Sequence, residues 1–110
     1  MQSAKYRRVL LKIGGEALAG PDGVSIDPTK ARRLSERVLE AQSLDIEIAI
    51  VIGGGNLWRG GEMPAMARST ADYIGMLGTV MNALALQEAL EATGVATRVQ
   101  TAIEMREVAE

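Results

Sequence analysis

Apolar positions along the chain follow two rhythms. Residues 8–13 (RVLLKI), 46–52 (IEIAIVI) and 96–100 (ATRVQ) are short and rich in β-branched side chains, which predicts three strands. The middle one is apolar almost throughout, as expected of a strand covered on both faces. Between them the period lengthens to that of a helix. Asp27 offers an N-cap and Pro28 a first helical residue. Ala31, Leu34, Val38 and Ala41 then share one face, and Arg32, Arg33, Glu36, Arg37 and Glu40 the other. A longer helix is predicted from Ser69 or Thr70 to about Thr93, with Gly94 as its stop, and a last one from near Ile103.

Strand, helix, strand, helix, strand predicts an α/β fold: a parallel sheet built from right-handed βαβ units. Ligands of such sheets bind beyond the carboxyl ends of the strands. Both glycine clusters, Gly14-Gly15 and Gly53-Gly54-Gly55, stand at that edge. A glycine run after a strand can be no more than a tight turn. Two runs at one edge also fit a nest of backbone N–H groups that a phosphate could approach without meeting side chains. Neither has the form of a better known phosphate loop, since GGEALAG lacks a terminal Lys-Ser/Thr pair and GGGNLW lacks the third glycine of a dinucleotide fingerprint.

Charge adds to this picture at two positions. Lys12 ends the first strand just before its glycines, and Arg59 follows the triplet by four residues, so both cations could converge on one anion. Singly, each is equally a solvated surface cation. Phosphoryl transfer needs backbone donors and positive charge around the phosphoryl group rather than covalent help from the protein. A chain with no His and no Cys suits it, because those absences remove Ser-His-Asp and Cys-His nucleophile systems, disulfides and the usual zinc ligand sets.

A formal charge of −2 offers no field for nucleic acid or acidic lipid, so neither is expected as a partner. No stretch is long and apolar enough for a membrane span or a signal peptide, and a cytoplasmic location is expected. With 110 residues, 47% of them hydrophobic and 24% charged, the chain is expected to form one small folded domain.

Asp72 has two open readings. With Ser69 it resembles a capping box, and a carboxylate there could equally accept hydrogen bonds from sugar hydroxyls. The long helix carries two apolar stripes, Ile74, Leu77, Met81 and Leu84 on one and Met76, Val80, Ala83 and Leu90 on the other. One sheet cannot bury both. Gly75 and Gly78 would let another backbone approach, which predicts a subunit contact.

Four segments together, KIGGEALAG (12–20), VIGGGNLWRG (51–60), TADYIGMLGTVMNALALQEAL (70–90) and TRVQTAIEM (97–105), closely resemble the bacterial uridylate (UMP) kinase family of the amino acid kinase superfamily. The resemblance implies a three-layer α/β/α sandwich and a reaction in which ATP and UMP give ADP and UDP, with Mg2+ accompanying ATP. It places Lys12, Ile13, Gly14 and Gly15 along the ATP phosphates, with Gly55 and Arg59 as further ATP contacts, and it gives Gly54 and Asp72 to UMP. Lys12 and Arg59 take the catalytic roles. It also implies a homo-oligomer, dimers through helix 70–93 that associate into hexamers.

Departures from the family pattern are local except for one. Gly14 stands where most relatives have serine, as KIGGEAL against KLSGEAL. The segment Gly23-Val24-Ser25-Ile26-Asp27 differs from a region the family links to GTP activation, and the loop GGEMPAMARSTA is short. Trp58 stands where relatives often carry another aromatic, and packing is its expected role. The large departure is length. The chain is expected to be the N-terminal, UMP-binding and oligomerising part of such a domain, truncated and lacking the C-terminal ATP-binding half. The alternatives are a non-catalytic storage or assembly module of the same fold, or another member of the superfamily.

Overall fold

A computed structural model of the chain describes residues 5–58 and 65–110. Two strands, β1 (Arg8–Ile13) and β2 (Glu47–Ile52), pair in parallel, with Arg8 opposite Glu47 and Ile13 opposite Ile52. The connection between them is α1 (Pro28–Gln42), and α2 (Arg68–Ala92) follows β2. A short 3-10 helix, Gly15–Leu18, leaves the end of β1.

The local causes are those of the sequence. Asp27 is extended and its Oδ1 accepts a hydrogen bond from the Thr29 N–H at 2.9 Å, while Pro28 occupies the first turn, so α1 begins where the cap dictates. The end of α2 is a Schellman motif. The Gly94 N–H donates to the Glu91 carbonyl and the Val95 N–H to the Leu90 carbonyl, each at 3.0 Å, with Gly94 at φ 93° and Val95 packed into the same cluster as Leu90. The start of α2 departs from expectation. Ala67 is its N-cap and offers no side-chain bond, and Ser69 is already helical, so the Ser69–Asp72 capping box does not form.

Both helices cover the same face of the sheet. Val38 of α1 and Leu86 and Leu90 of α2 are buried with Val95 against Leu34, Ile48, Ile50 and Ile52. Fully burying a side chain of this size contributes about 1.5–3 kcal/mol, and the half-buried ones contribute less. Alternate residues of β2, Glu47, Ala49 and Val51, are exposed, so this strand is covered on one face rather than the expected two. The described residues therefore build the sheet and one helical layer, and Leu10 and Val51 lie open on the opposite face.

Two predicted elements do not form. Residues 96–100 run without a strand partner: the Val99 carbonyl accepts from the Glu110 N–H at 2.8 Å and the Thr101 N–H donates to the Glu110 carbonyl, so these groups are taken by the chain's own last residue rather than by β2. From Ile103 onward there is one turn, closed by Val108 and Ala109 N–H groups on the Met105 carbonyl, instead of a helix. A single turn gains too few hydrogen bonds to outweigh nucleation.

Candidate functional site

Both strands end at one edge, and the two glycine clusters meet there. The Gly53 N–H donates to the Ile13 carbonyl at 2.8 Å, extending the ladder one residue past the strands. A β-carbon placed on Gly15 would stand 2.6 Å from the Gly55 amide nitrogen and 2.5 Å from the Asn56 Oδ1, and one on Gly53 would stand 3.4 Å from the Gly15 nitrogen. The clusters thus form one continuous floor of backbone, whose closest approach requires that Gly15 lack a side chain. Gly14 is different. The atoms nearest to a β-carbon there belong to the carboxylate of exposed Glu16, which can swing away.

The floor rests on α2. A β-carbon on Gly54 would lie 3.1 Å from the Thr79 nitrogen, 3.2 Å from the Gly78 carbonyl carbon and 3.3 Å from the Gly75 oxygen. Gly75 and Gly78 therefore lie beside the glycine loop of their own chain, Gly78 at ordinary contact distance from Gly54. Trp58 completes the arrangement. Its indole N–H donates to the Ala71 carbonyl at 3.0 Å and its ring edge lies against Gly75, so packing beside the loop accounts for it. The Gly54 carbonyl accepts from the Leu57 and Trp58 N–H groups at 2.9 and 3.0 Å, closing the turn.

The remaining expected site residues fall around this floor. Lys12 is exposed at the end of β1, opposite Val51 in the register, and half-buried Ile13 pairs with Ile52. Gly55 sits inside the triplet turn. Asp72 is exposed one helical turn before Gly75, and among the described residues its ion pair is a distant one, 4.0 Å to the well exposed Arg68. Arg59 lies outside the described residues. The second stripe of α2 also reads differently in three dimensions: Val80 is buried, and Met76, Val80 and Ala83 line a groove toward β2, while Tyr73, Leu77 and Met81 face outward.

Two residues that the periodicity did not single out are central here. Asn82, fully buried, donates from Nδ2 to the Gly53 carbonyl at 2.7 Å and to the Asn56 Oδ1 at 2.7 Å. Asn56 donates back to the Asn82 Oδ1 at 3.2 Å and to the Ser25 carbonyl at 2.7 Å. A lone amide within an otherwise apolar helical stretch, and another directly after a glycine triplet, were the available signals.

Comparison with known proteins fits this geometry. Residues 7–108 match the model of the amino acid kinase family. Over 112 aligned residues the chain is 57% identical to a uridylate kinase of Pediococcus pentosaceus, an alignment that takes in 100% of this chain and 46% of that relative. A UMP kinase from Bacillus anthracis superposes with a TM-score of 0.88 at 42% identity, covering 96% of this chain and 44% of that one. A UMP kinase from Ureaplasma parvum gives 0.86 at 37% identity, with 96% and 46% covered. The chain spans less than half the length of these relatives. A parallel sheet with its glycine floor at the strand ends, matched across nearly every residue, has one consequence for classification: the chain belongs to the amino acid kinase family and has its fold.

Proposed function

We propose that the protein carrying this chain transfers a phosphoryl group from ATP to UMP, giving ADP and UDP. The continuous backbone floor formed by Gly14-Gly15 and Gly53–Gly55 is the observation that carries the reading, because donor and acceptor phosphates need to lie side by side over closely approached N–H groups. Lys12, Ile13, Gly14 and Gly15 run along the ATP phosphates, where Gly55 and Arg59 add further contacts. Gly54 and Asp72 hold UMP, the exposed carboxylate accepting from sugar hydroxyls. Lys12 and Arg59 offset the charge that spreads over the phosphoryl oxygens in flight. Magnesium enters with ATP as part of the substrate.

At less than half the length of its relatives, the 110-residue chain by itself is expected to show no turnover. No helix among the described residues is long and apolar enough to cross a membrane. The reading is of an enzyme acting on free nucleotides in the cytoplasm. Self-association into dimers through α2, and of dimers into hexamers, would cover Tyr73, Leu77 and Met81.

The test is ADP release by the full-length gene product with Mg-ATP and UMP, with CMP and molybdate as comparisons. UMP-dependent release that Arg59→Ala lowers by about 2–4 kcal/mol of transition-state stabilisation is the expected result. Release indifferent to UMP, or retention of molybdate without turnover, overturns the reading.

A further inference from the structure

The buried amide pair Asn56 and Asn82 does something that the core alone does not ask for. Asn82 sits on α2 among apolar neighbours, where leucine would bury as well without needing partners. Instead every side-chain polar atom of the pair is engaged: Asn82 grips the Gly53 carbonyl, the two side chains bond reciprocally, and Asn56 holds the Ser25 carbonyl. The Asn56 carbonyl also accepts from the Ser25 N–H at 2.9 Å. A polar network so fully satisfied is rigid, and rigidity is its distinguishing property over an apolar core.

What it makes rigid is one peptide plane. Gly53 is held from both sides, its N–H by the Ile13 carbonyl and its carbonyl by Asn82. A trans peptide directs its C=O and the following N–H to opposite sides. With the Gly53 oxygen turned to Asn82 on α2, the Gly54 N–H is turned away from it. Glycines supply no stiffness of their own at this point, so the orientation depends on Asn82. Ser25, at φ 65°, shows that the adjoining turn accepts an unfavourable backbone conformation while its N–H and C=O both bond to Asn56.

We propose that Asn82, with Asn56, is a positioning residue for the acceptor nucleotide, setting the Gly53–Gly54 peptide so that the Gly54 N–H meets the acceptor. The inference rests on the kinase reading above, in which Gly54 contacts UMP. Neither asparagine touches the nucleotide; both act through the backbone they hold.

The experiment compares Asn82→Leu with Leu86→Ala in the full-length gene product. Leu86 is buried in the α1–α2 core and stands outside the nucleotide floor, so its truncation reports loss of packing alone. Asn82→Leu is expected to raise KM for UMP about tenfold or more and leave KM for ATP within about twofold, as misplacement of one binding group does. Leu86→Ala is expected to lower the melting temperature and move neither KM. The backbone amide resonance of Gly54, recorded without nucleotide, should shift in Asn82→Leu and stay in place in Leu86→Ala. If Asn82→Leu does not fold, Asn82→Gln, which displaces the amide by one methylene, carries the same expectations. An unmoved Gly54 resonance, or KM values for both substrates rising together, overturns the inference. A wild type that never phosphorylates UMP sinks the kinase reading instead, and the Gly54 resonance then still decides whether Asn82 orients this peptide.

Discussion

Adding one methyl group at Gly15 probes the contact between the two glycine clusters directly. The new β-carbon would stand 2.6 Å from the Gly55 nitrogen and 2.5 Å from the Asn56 Oδ1. An ordinary contact needs about 3.5 Å, so the clusters must part by roughly 0.9 Å. Neither neighbour is free to yield. The Gly55 nitrogen is backbone, and the Asn56 oxygen is held by Asn82 at 2.7 Å. Overpacking of this kind costs about 1–3 kcal/mol, and straining a buried hydrogen bond adds about 1 kcal/mol. Against this, Gly→Ala stiffens the unfolded chain and returns about 0.4–1 kcal/mol. The net loss is about 1–3 kcal/mol, and at about 4–8 °C per kcal/mol in a domain of this size the melting temperature falls by roughly 5–20 °C. Gly14→Ala is the control: its φ of −72° and ψ of 155° suit any residue, and the nearest obstacle is the movable Glu16 carboxylate. It should melt with or slightly above the wild type. Thermal unfolding followed by circular dichroism reads both. If the two variants lose the same stability, or Gly15→Ala melts with the wild type, the clusters do not touch as described.

Other outcomes follow from α2. Gly94→Ala puts a side chain at φ 93°, and the strain should cost about 1–2 kcal/mol by urea unfolding, with no loss if the Schellman turn is absent. In sedimentation of the full-length gene product, Leu77→Glu should shift an oligomer toward monomer at unchanged melting temperature, because Leu77 faces outward, and an unshifted profile removes this stripe from any interface. Val80→Glu should instead unfold the chain, since it buries an unpaired carboxylate against β2, and a stable Val80→Glu protein would show that Val80 is not a core residue.

Local chemistry was legible where the deciding groups lie close in sequence. The Asp27-Pro28 start of α1 and the Gly94 end of α2 are each set by neighbours within a few positions and form as read, and the 8–13 strand forms as read because β2 is there to pair with it. The elements that failed depend on distant groups. Residues 96–100 have strand-like composition, yet a strand needs a partner, and the backbone of this segment bonds to Glu110. The capping box had the right spacing, but α2 starts one residue before Ser69. In the candidate site, the glycines stood out because of their runs. Their reason for sitting together did not, because it involves the pairing of Gly15 with Gly55 and of Gly54 with Gly78 across long stretches of chain. The same holds for Gly75 and Gly78, whose fit to the glycine loop of their own chain no periodicity reveals.

The register of the sheet also dictates an order of events. Each residue of β1 pairs with one 39 positions later, as Arg8 does with Glu47. Bringing such distant segments together costs chain entropy before any ladder bond forms. The 15 residues of α1 shorten that search, since as a helix they span about 22 Å rather than the roughly 50 Å of an extended segment. Residues on α1 are thus kinetic as well as structural: weakening its Asp27 cap should slow folding and not merely hasten unfolding. During synthesis β1 emerges first and waits, its backbone ladder groups unpaired, until the ribosome has released Ile52. The interval before the sheet closes is when this chain is most open to unwanted association.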